Sequence, residues 1–338
     1  MIAPEPSPPS RRVTRRVFLG AAAAAAGLGC RGARSRSIVL RLSHSMNAGT
    51  TSLHVVADAF RKRVDEITNG AVTVRLFPSG TLGQEREVVQ QLQVGLVDFM
   101  VSGTAIWGSV APRLQVFDFP FLWRDWDHVH GVVDGAIGLE AADYLASSVR
   151  MRPLAWADSF GFRHVVTRSR DVTDASQLSG LKIRTIQSAI YVKAVQLMGA
   201  SPTPMAFGEV YTSLQTGVID GYEHDASTTL HQRFYEVASH MARTRHIAGV
   251  LGLWASTIGL DRLPADLRAP IAQAARDAAL TQRVMGPAED HDAAETLRQR
   301  GMTIREFDNS PFRPAAERLW QTEARTLGVE RWLQAILA

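Results

Sequence analysis

Cysteine is almost absent from this chain. Cys30 stands alone in 338 residues, so no disulfide can form within one chain and no thiolate set exists for a Cys-based zinc or iron–sulfur site. Lysine is nearly as scarce, confined to Lys62, Lys182 and Lys193, which leaves arginine as the default cation. An arginine here is therefore not a site merely by being an arginine. Internal repeats, low-complexity tracts and blocks of like charge are missing from the body of the chain, which removes solenoid and disordered readings. No nucleophile elbow, phosphate loop or HExxH pattern occurs, and no cofactor is expected. The formal charge of +4 also loses its apparent meaning on inspection. Seven of the 37 basic residues but one of the 33 acidic ones fall in residues 1–37, so the remainder carries about −2, unlike a nucleic-acid binder.

Those first 37 residues read as an address. Thr14-Arg15-Arg16-Val17-Phe18-Leu19 is a twin-arginine pattern followed by an apolar run to about Leu28, of signal-peptide length and too short for a comfortable bilayer span. Export to the periplasm follows. Cys30 sits just after the run in Gly27-Leu28-Gly29-Cys30, where a lipoprotein acceptor belongs, although Gly27 occupies a place that is usually Leu. Lipidation at Cys30 and cleavage within the Ala run, which would discard it, both stay open. No later stretch approaches ~18 uninterrupted apolar residues, so the mature protein should be soluble or tethered at its start.

With 46% hydrophobic residues the chain can bury a large core, and its length suggests about two compact domains. Strand and helix patterns alternate from Ile38: strand at Ile38–Leu42, helix carrying Leu53, Val56, Ala57, Phe60 and Val64, strand at Ala71–Phe77, helix over Gln84–Val94, strand at Val97–Val101. This βαβαβ order predicts a mainly parallel sheet covered by helices. A second series begins near Gly161, with strands at 162–167 and 181–185, a helix at 188–198, a bend at Pro202 and Pro204, a short helix at 208–216, a strand ending at Val218–Gly221, an apolar strand within 245–260 and a long Ala-rich helix from Pro264. Two α/β lobes facing each other would place a ligand cleft at the carboxyl ends of their strands.

Arg163 and Arg184 lie on two of the predicted strands, Arg184 at a carboxyl end. A guanidinium there requires an anion, which is either a carboxylate ligand held by its planar fork or an Asp or Glu of the protein. Glu223-His224-Asp225 gathers three polar groups where a strand meets a helix; adjacent residues do not converge on one metal ion, so a metal site is not expected. His44, His54, His128, His130 and His164 read as solvated or structurally satisfied histidines.

Three consecutive blocks, Leu178–Arg184, Met198–Phe207 and Glu209–Gly221, together with Phe77-Pro78-Ser79-Gly80-Thr81-Leu82-Gly83, Asp118-Phe119-Pro120-Phe121-Leu122 and Gly161-Phe162-Arg163-His164, carry a resemblance over nearly the whole mature chain. The sequence resembles the substrate-binding proteins of tripartite ATP-independent periplasmic (TRAP) transporters. That resemblance implies a two-lobed α/β periplasmic-binding-protein fold with an interlobe cleft and a long bridging helix, lobe I from 38–160 and 250–288, lobe II from 161–249 and 289–338. It implies a small organic anion as ligand, the small and large TRAP permease subunits as partners, a monomer as the usual form and no catalysis. Among site residues it implies that Arg184 holds the ligand carboxylate, that Arg163 assists it, that Phe207 packs on the ligand, and that Asn47 and Glu85 reach it from the other lobe. Glu223-His224-Asp225 departs from the family's Glu-Asn-Pro, so His224 replaces an Asn that helps bind the carboxylate, which points to a changed substrate. Gly103 and Ile106 stand where sialic-acid members have an acid and an Arg, disfavouring sialate. Tyr222, His224, Glu85 and Asn47 suit a hydroxylated acid such as a uronate or aldonate, with a C4-dicarboxylate as the other candidate. An exported enzyme acting on such acids, or a binding protein feeding a sensor, are the alternative readings.

Overall fold

The computed structural model describes residues 38–338; the twin-arginine segment and Cys30 lie outside the described residues. The first half runs β1 (Ile38–Ser43), α1 (Ser52–Ile67), β2 (Val72–Phe77), α2 (Glu85–Gln93), β3 (Phe99–Gly103), α3 (Trp126–Val133), α4 (Ala136–Val149) and β4 (Met151–Thr167). There follow β5 (Lys182–Thr185), α5 (Ala189–Leu197), β6 (Ser201–Pro204), α6 (Val210–Thr216), β7 (Gly221–His224), α7 (Ala226–His231), β8 (His240–Ser256), α8 (Thr257–Asp261), α9 (Ala265–Gln299), β9 (Thr303–Glu306), α10 (Arg313–Leu327) and α11 (Glu330–Leu337). The strands form one sheet in the order β2-β1-β3-β8-β4-β7-β5-β6, with β9 also paired to β8.

The flanks of this sheet are parallel, as the βαβ pattern predicts: β1 pairs in parallel with β2 and β3, and β5 with β6 and β7. Its centre is not. β4 and β8 are antiparallel strands of 17 residues each, and they join the two parallel halves. The first half of β4 escapes a reading by alternation because only 151–154 alternate before the strand becomes buried on both faces, and because Pro153, Asp158 and Ser159 mimic a loop. Two shorter readings also shift. The apolar Val218-Ile219 pair lies in the turn after α6, and β7 starts only at Gly221, where a Cβ would collide with the carbonyl oxygen of Val166. Pro202 and Pro204 fall in β6, an edge strand, where a missing N–H costs no ladder bond.

The sheet's two ends have separate cores, and α9 belongs to both. Leu53, Val56, Ala57 and Phe60 of α1 recur at helical spacing and pack with the strands of the first half and with Ile271, Ala274, Ala275 and Ala278 of α9. The later turns of α9, through Ala293, Ala294 and Leu297, pack with Val210, Leu214 and Tyr222 of the second half. Pro287 lies within the continuous helix α9 between these two stretches. Beside this part of α9 the β4–β8 register shifts between Asp158 and Phe162. The irregular backbone there is pinned from α9 by Gln282, whose Nε2 donates to Asp158 O at 2.7 Å and whose Oε1 accepts from Asp158 N at 3.1 Å. Gly249 of β8 makes room for Ser159, since a Cβ at 249 would overlap the Ser159 hydroxyl.

Candidate ligand-binding cleft

The cleft opens beside that irregular crossover as a small cavity of about 50 Å³. Arg184, Arg163 and His224 line one part of its wall, Glu85 and Ser45 another, and Ser159 and Gly249 come from the crossover itself.

Arg184 ends up here because β5 is short and its next residues leave the sheet at the carboxyl end. The side chain is 2% exposed. Its Nε and Nη2 donate to the Met205 carbonyl oxygen at 3.2 and 2.9 Å, while Nη1 has no hydrogen-bond partner among the described residues. Of the five N–H groups a guanidinium carries, three are thus unspent: both on Nη1 and one on Nη2. Burial presses its pKa down to about 10; Glu223 and Glu85 oppose this, and Arg163 reinforces it. No carboxylate of the described residues forms an ion pair with it.

Arg163 is the opposite case. It is 4% exposed, and Glu223, fully buried on the neighbouring strand β7, takes most of its donors. Nε donates to Glu223 Oε2, and Nη2 to Glu223 Oε1 at 3.0 Å and to the Glu223 carbonyl oxygen at 2.7 Å. Nη1 lies 3.3 Å from His224 Nε2. One N–H on Nη1 remains. Burial opposes the charge on Arg163, but the Glu223 carboxylate outweighs it and the pKa rises; burial likewise works against Glu223, and Arg163 outweighs it and holds that carboxylate low.

His224 closes β7, and Asp225 caps α7 by accepting from Thr228 N at 2.7 Å. Asp225 Oδ2 is 2.8 Å from His224 Nδ1. The Asp225 backbone N–H also lies 3.0 Å from that nitrogen, but a carboxylate facing a bare lone pair at 2.8 Å would be repulsive, so Nδ1 carries the proton. Burial, helped by Arg163, lowers the His224 pKa, so the imidazole is neutral near pH 7 with Nε2 as an acceptor. Asp225 stays ionised, since burial, which would raise its pKa, is outweighed by His224 and its hydrogen bonds. Phe207 stands edge-to-face with His224 at 5.8 Å and under the Arg184 guanidinium at 5.9 Å.

Across the cleft, Glu85 begins α2, and Ser45 Oγ donates to its Oε1 at 3.1 Å. Burial raises the Glu85 pKa against the pull of Ser45, Arg184 and Arg163.

Of the residues singled out in the sequence, Arg184, Arg163, His224, Phe207 and Glu85 therefore meet at one cavity. Glu223 stands behind it as the partner of Arg163. Asn47 lies on the exposed part of the loop after β1, where its Oδ1 accepts from Ser79 Oγ at 3.2 Å, and it does not line the cleft. Ser45 and Met46 of the same loop do, as do Tyr191, Ile186 and Ser159, which sequence reasoning passed over because nothing in their spacing marks them. The five histidines read as structural have partners: His44 with His54, His128 with the Ile336 carbonyl oxygen, His130 with Asp158, His164 with the Arg245 N–H.

Residues 42–326 match the family model described as "Bacterial extracellular solute-binding protein, family 7". The chain belongs to this family. It is 34% identical over 250 residues to a solute-binding protein of Verminephrobacter eiseniae, covering 74% of each chain. It is 30% identical over 270 residues to the 2,3-diketo-L-gulonate-binding periplasmic protein YiaO of Escherichia coli, covering 79% of this chain and 81% of that one. Crystal structures of two TRAP periplasmic solute-binding proteins superpose on it. One, from Polaromonas and bound to D-erythronate, shares 29% identity with a TM-score of 0.85 and 89% and 99% coverage. The other, from Citrobacter koseri with bound D-glucuronate, shares 29% identity with a TM-score of 0.83 and 88% and 98% coverage. The family-7 fold accounts for the architecture: an α/β, two-lobed TRAP solute receptor with a cleft and a long helix, α9, shared by both cores. No helix among the described residues is long and apolar enough to cross a membrane.

Proposed function

We propose that this family-7 protein captures a small hydroxylated organic acid by its carboxylate in the periplasm and hands it, unaltered, to the small and large TRAP membrane subunits. The observation that carries the proposal is Arg184: a buried guanidinium that lines the cleft with three unspent N–H groups and no acid of its own. Such a group is costly to bury unpaired, and a ligand carboxylate supplies the missing charge through charge-assisted bonds. Arg163 adds one N–H while Glu223 neutralises it, so the cleft offers an anion one net guanidinium, not two. Glu85 and Ser45 on the facing wall suit hydroxyl groups, whereas a second carboxylate, as in a C4-dicarboxylate, would meet Glu85 unfavourably. Relatives named for 2,3-diketo-L-gulonate, D-erythronate and D-glucuronate support the same class of acid.

In this reading lobe I comprises 38–160 and 250–288 and lobe II 161–249 and 289–338, and they close on the ligand about the crossover. The bulge after Asp158, Gly249 and the proline Pro287 inside α9 all fall at those boundaries, which supports a hinge there. Closure is driven by contacts made to both walls, Arg184 on one side and Glu85 on the other. The protein works as a monomer, exported through its twin-arginine segment, with Cys30 as an anchor where that residue is retained. A thermal-shift screen of ligand-free protein against aldonates, uronates, dicarboxylates, keto acids and sialate tests the proposal, because binding to the native state alone raises the midpoint. A shift with hydroxylated acids, returned unchanged on extraction, supports it; shifts only with neutral solutes, or conversion of the acid, overturn it.

A further inference from the structure

Next to its carboxylate clamp the cleft presents an acceptor. His224 is 5% exposed and lines the cavity, and Asp225 fixes its proton on Nδ1, so Nε2, beside Arg163, is left as the ring's acceptor. Arg163 Nη1 donates to Nε2 at 3.3 Å, longer than the usual 2.9–3.0 Å of a good N–H bond, so a ligand hydroxyl donating to Nε2 competes with a weak donor. The ring cannot reverse its polarity without surrendering the Asp225 contact, and the edge-to-face Phe207 ring limits the room in which it could turn.

Resting on the reading that Arg184 and Arg163 hold the ligand carboxylate, we propose that His224 selects acids with a hydroxyl on the carbon next to that carboxylate. These are open-chain 2-hydroxy acids of the aldonate type, preferred over 2-oxo acids and over uronates closed into a pyranose ring. The chemistry follows from the adjacent atoms. A carboxylate oxygen bound at Arg163 Nη1 carries the oxygen of the neighbouring carbon toward Nε2, because the two nitrogens are neighbours. A hydroxyl there donates its proton to the lone pair. A 2-oxo acid offers a carbonyl oxygen, and a pyranuronate offers its ring ether oxygen; each sets lone pair against lone pair where water is excluded. An amide at this position would tolerate either, since its NH2 donates and its oxygen accepts. The same cleft geometry with His224 therefore discriminates where an Asn would not. A site built to bond a ligand hydroxyl rejects analogues lacking it strongly, and with one weakly held acceptor the expected ratio is about 10- to 100-fold.

The test is calorimetric titration of the protein with D-erythronate, L-threonate and D-gluconate, with the 2-oxo and 2-deoxy counterparts of erythronate, and with D-glucuronate. The titration is repeated on His224→Asn after its melting curve shows it folded. Expected is a Kd for the best 2-hydroxy acid at least 10-fold below those of the 2-oxo, 2-deoxy and pyranose acids, narrowing to within about threefold in His224→Asn. Equal or tighter binding of the 2-oxo acid or of glucuronate by the wild-type protein overturns the inference whatever the variant does, as does an unchanged ratio in a folded His224→Asn protein. Acid binding without preference removes only this inference; no binding of any acid removes the carboxylate reading with it.

Discussion

Replacing the two cleft arginines one at a time should give opposite signatures in stability and in binding. In the ligand-free protein Arg184 is a buried charge without a carboxylate, its pKa held at about 10 by burial. At about 1.4 kcal/mol per pH unit that corresponds to roughly 3 kcal/mol of unfavourable charge burial, which Arg184→Met relieves. The same change strips donors from the Met205 carbonyl oxygen, at about 1–3 kcal/mol. The terms nearly cancel, so Arg184→Met should unfold within ~2 kcal/mol of the wild type. Arg163→Met leaves Glu223, 0% exposed, without its cation and should lose about 3–5 kcal/mol. Binding behaves differently. Losing Arg184 removes three unspent donors and the uncompensated charge, costing about 2–5 kcal/mol, a weakening of roughly 30- to 5,000-fold in Kd. Urea unfolding of ligand-free protein and calorimetry with the best acid from the screen read both quantities. Destabilisation of Arg184→Met as severe as that of Arg163→Met, with acid binding intact, would refute the assignment, because Arg184 would then be paired within the protein.

Two further changes probe the frame around the cleft. Asp290 of α9 lies against Gly161, its carboxyl raised to about 6, by burial first and then by Asp225, with Arg243 at 3.6 Å pulling the other way. Its native state binds the proton more tightly than the unfolded chain, so this group's contribution to stability falls as pH rises from about 4 through 6. Asp290→Asn should therefore be more stable than the wild type at pH 7.5, by on the order of 1–3 kcal/mol, with the gap closing below pH 4 in urea titrations; a gap independent of pH would show that this carboxyl titrates normally. Gly221→Ala drives a Cβ onto the Val166 carbonyl oxygen at the start of β7 and should cost about 1–3 kcal/mol in chemical unfolding, whereas no loss would mean that the β4–β7 contact is looser than its register indicates.

Much of this protein is set locally and can be read in one dimension. The period of Leu53, Val56, Ala57 and Phe60 makes α1 a one-sided helix, and the short apolar run ending in Arg184 makes β5 a strand that delivers a guanidinium at its carboxyl end. Motif blocks around Arg163, Arg184 and Phe207 carried the family resemblance, and the family match over residues 42–326 agrees with it. What local pattern could not decide is which charge meets which. Arg163 and Glu223 are 60 positions apart, and they touch because β7 lies between β4 and β5 in the sheet, an order that no periodicity encodes. That order spends Arg163 on Glu223 inside the protein and leaves Arg184 without a carboxylate partner among the described residues, although in the sequence both stand as arginines on strands. It also brings Tyr191 and Ser45 to the cavity and leaves Asn47 at the surface, since a side chain's destination depends on how a loop packs across the cleft. The central β4–β8 pairing was hidden for the same reason: strand pieces at 162–167 and within 245–260 are apolar enough to read, but that β4 begins at Met151 and that these two strands lie side by side is decided only by the packed sheet.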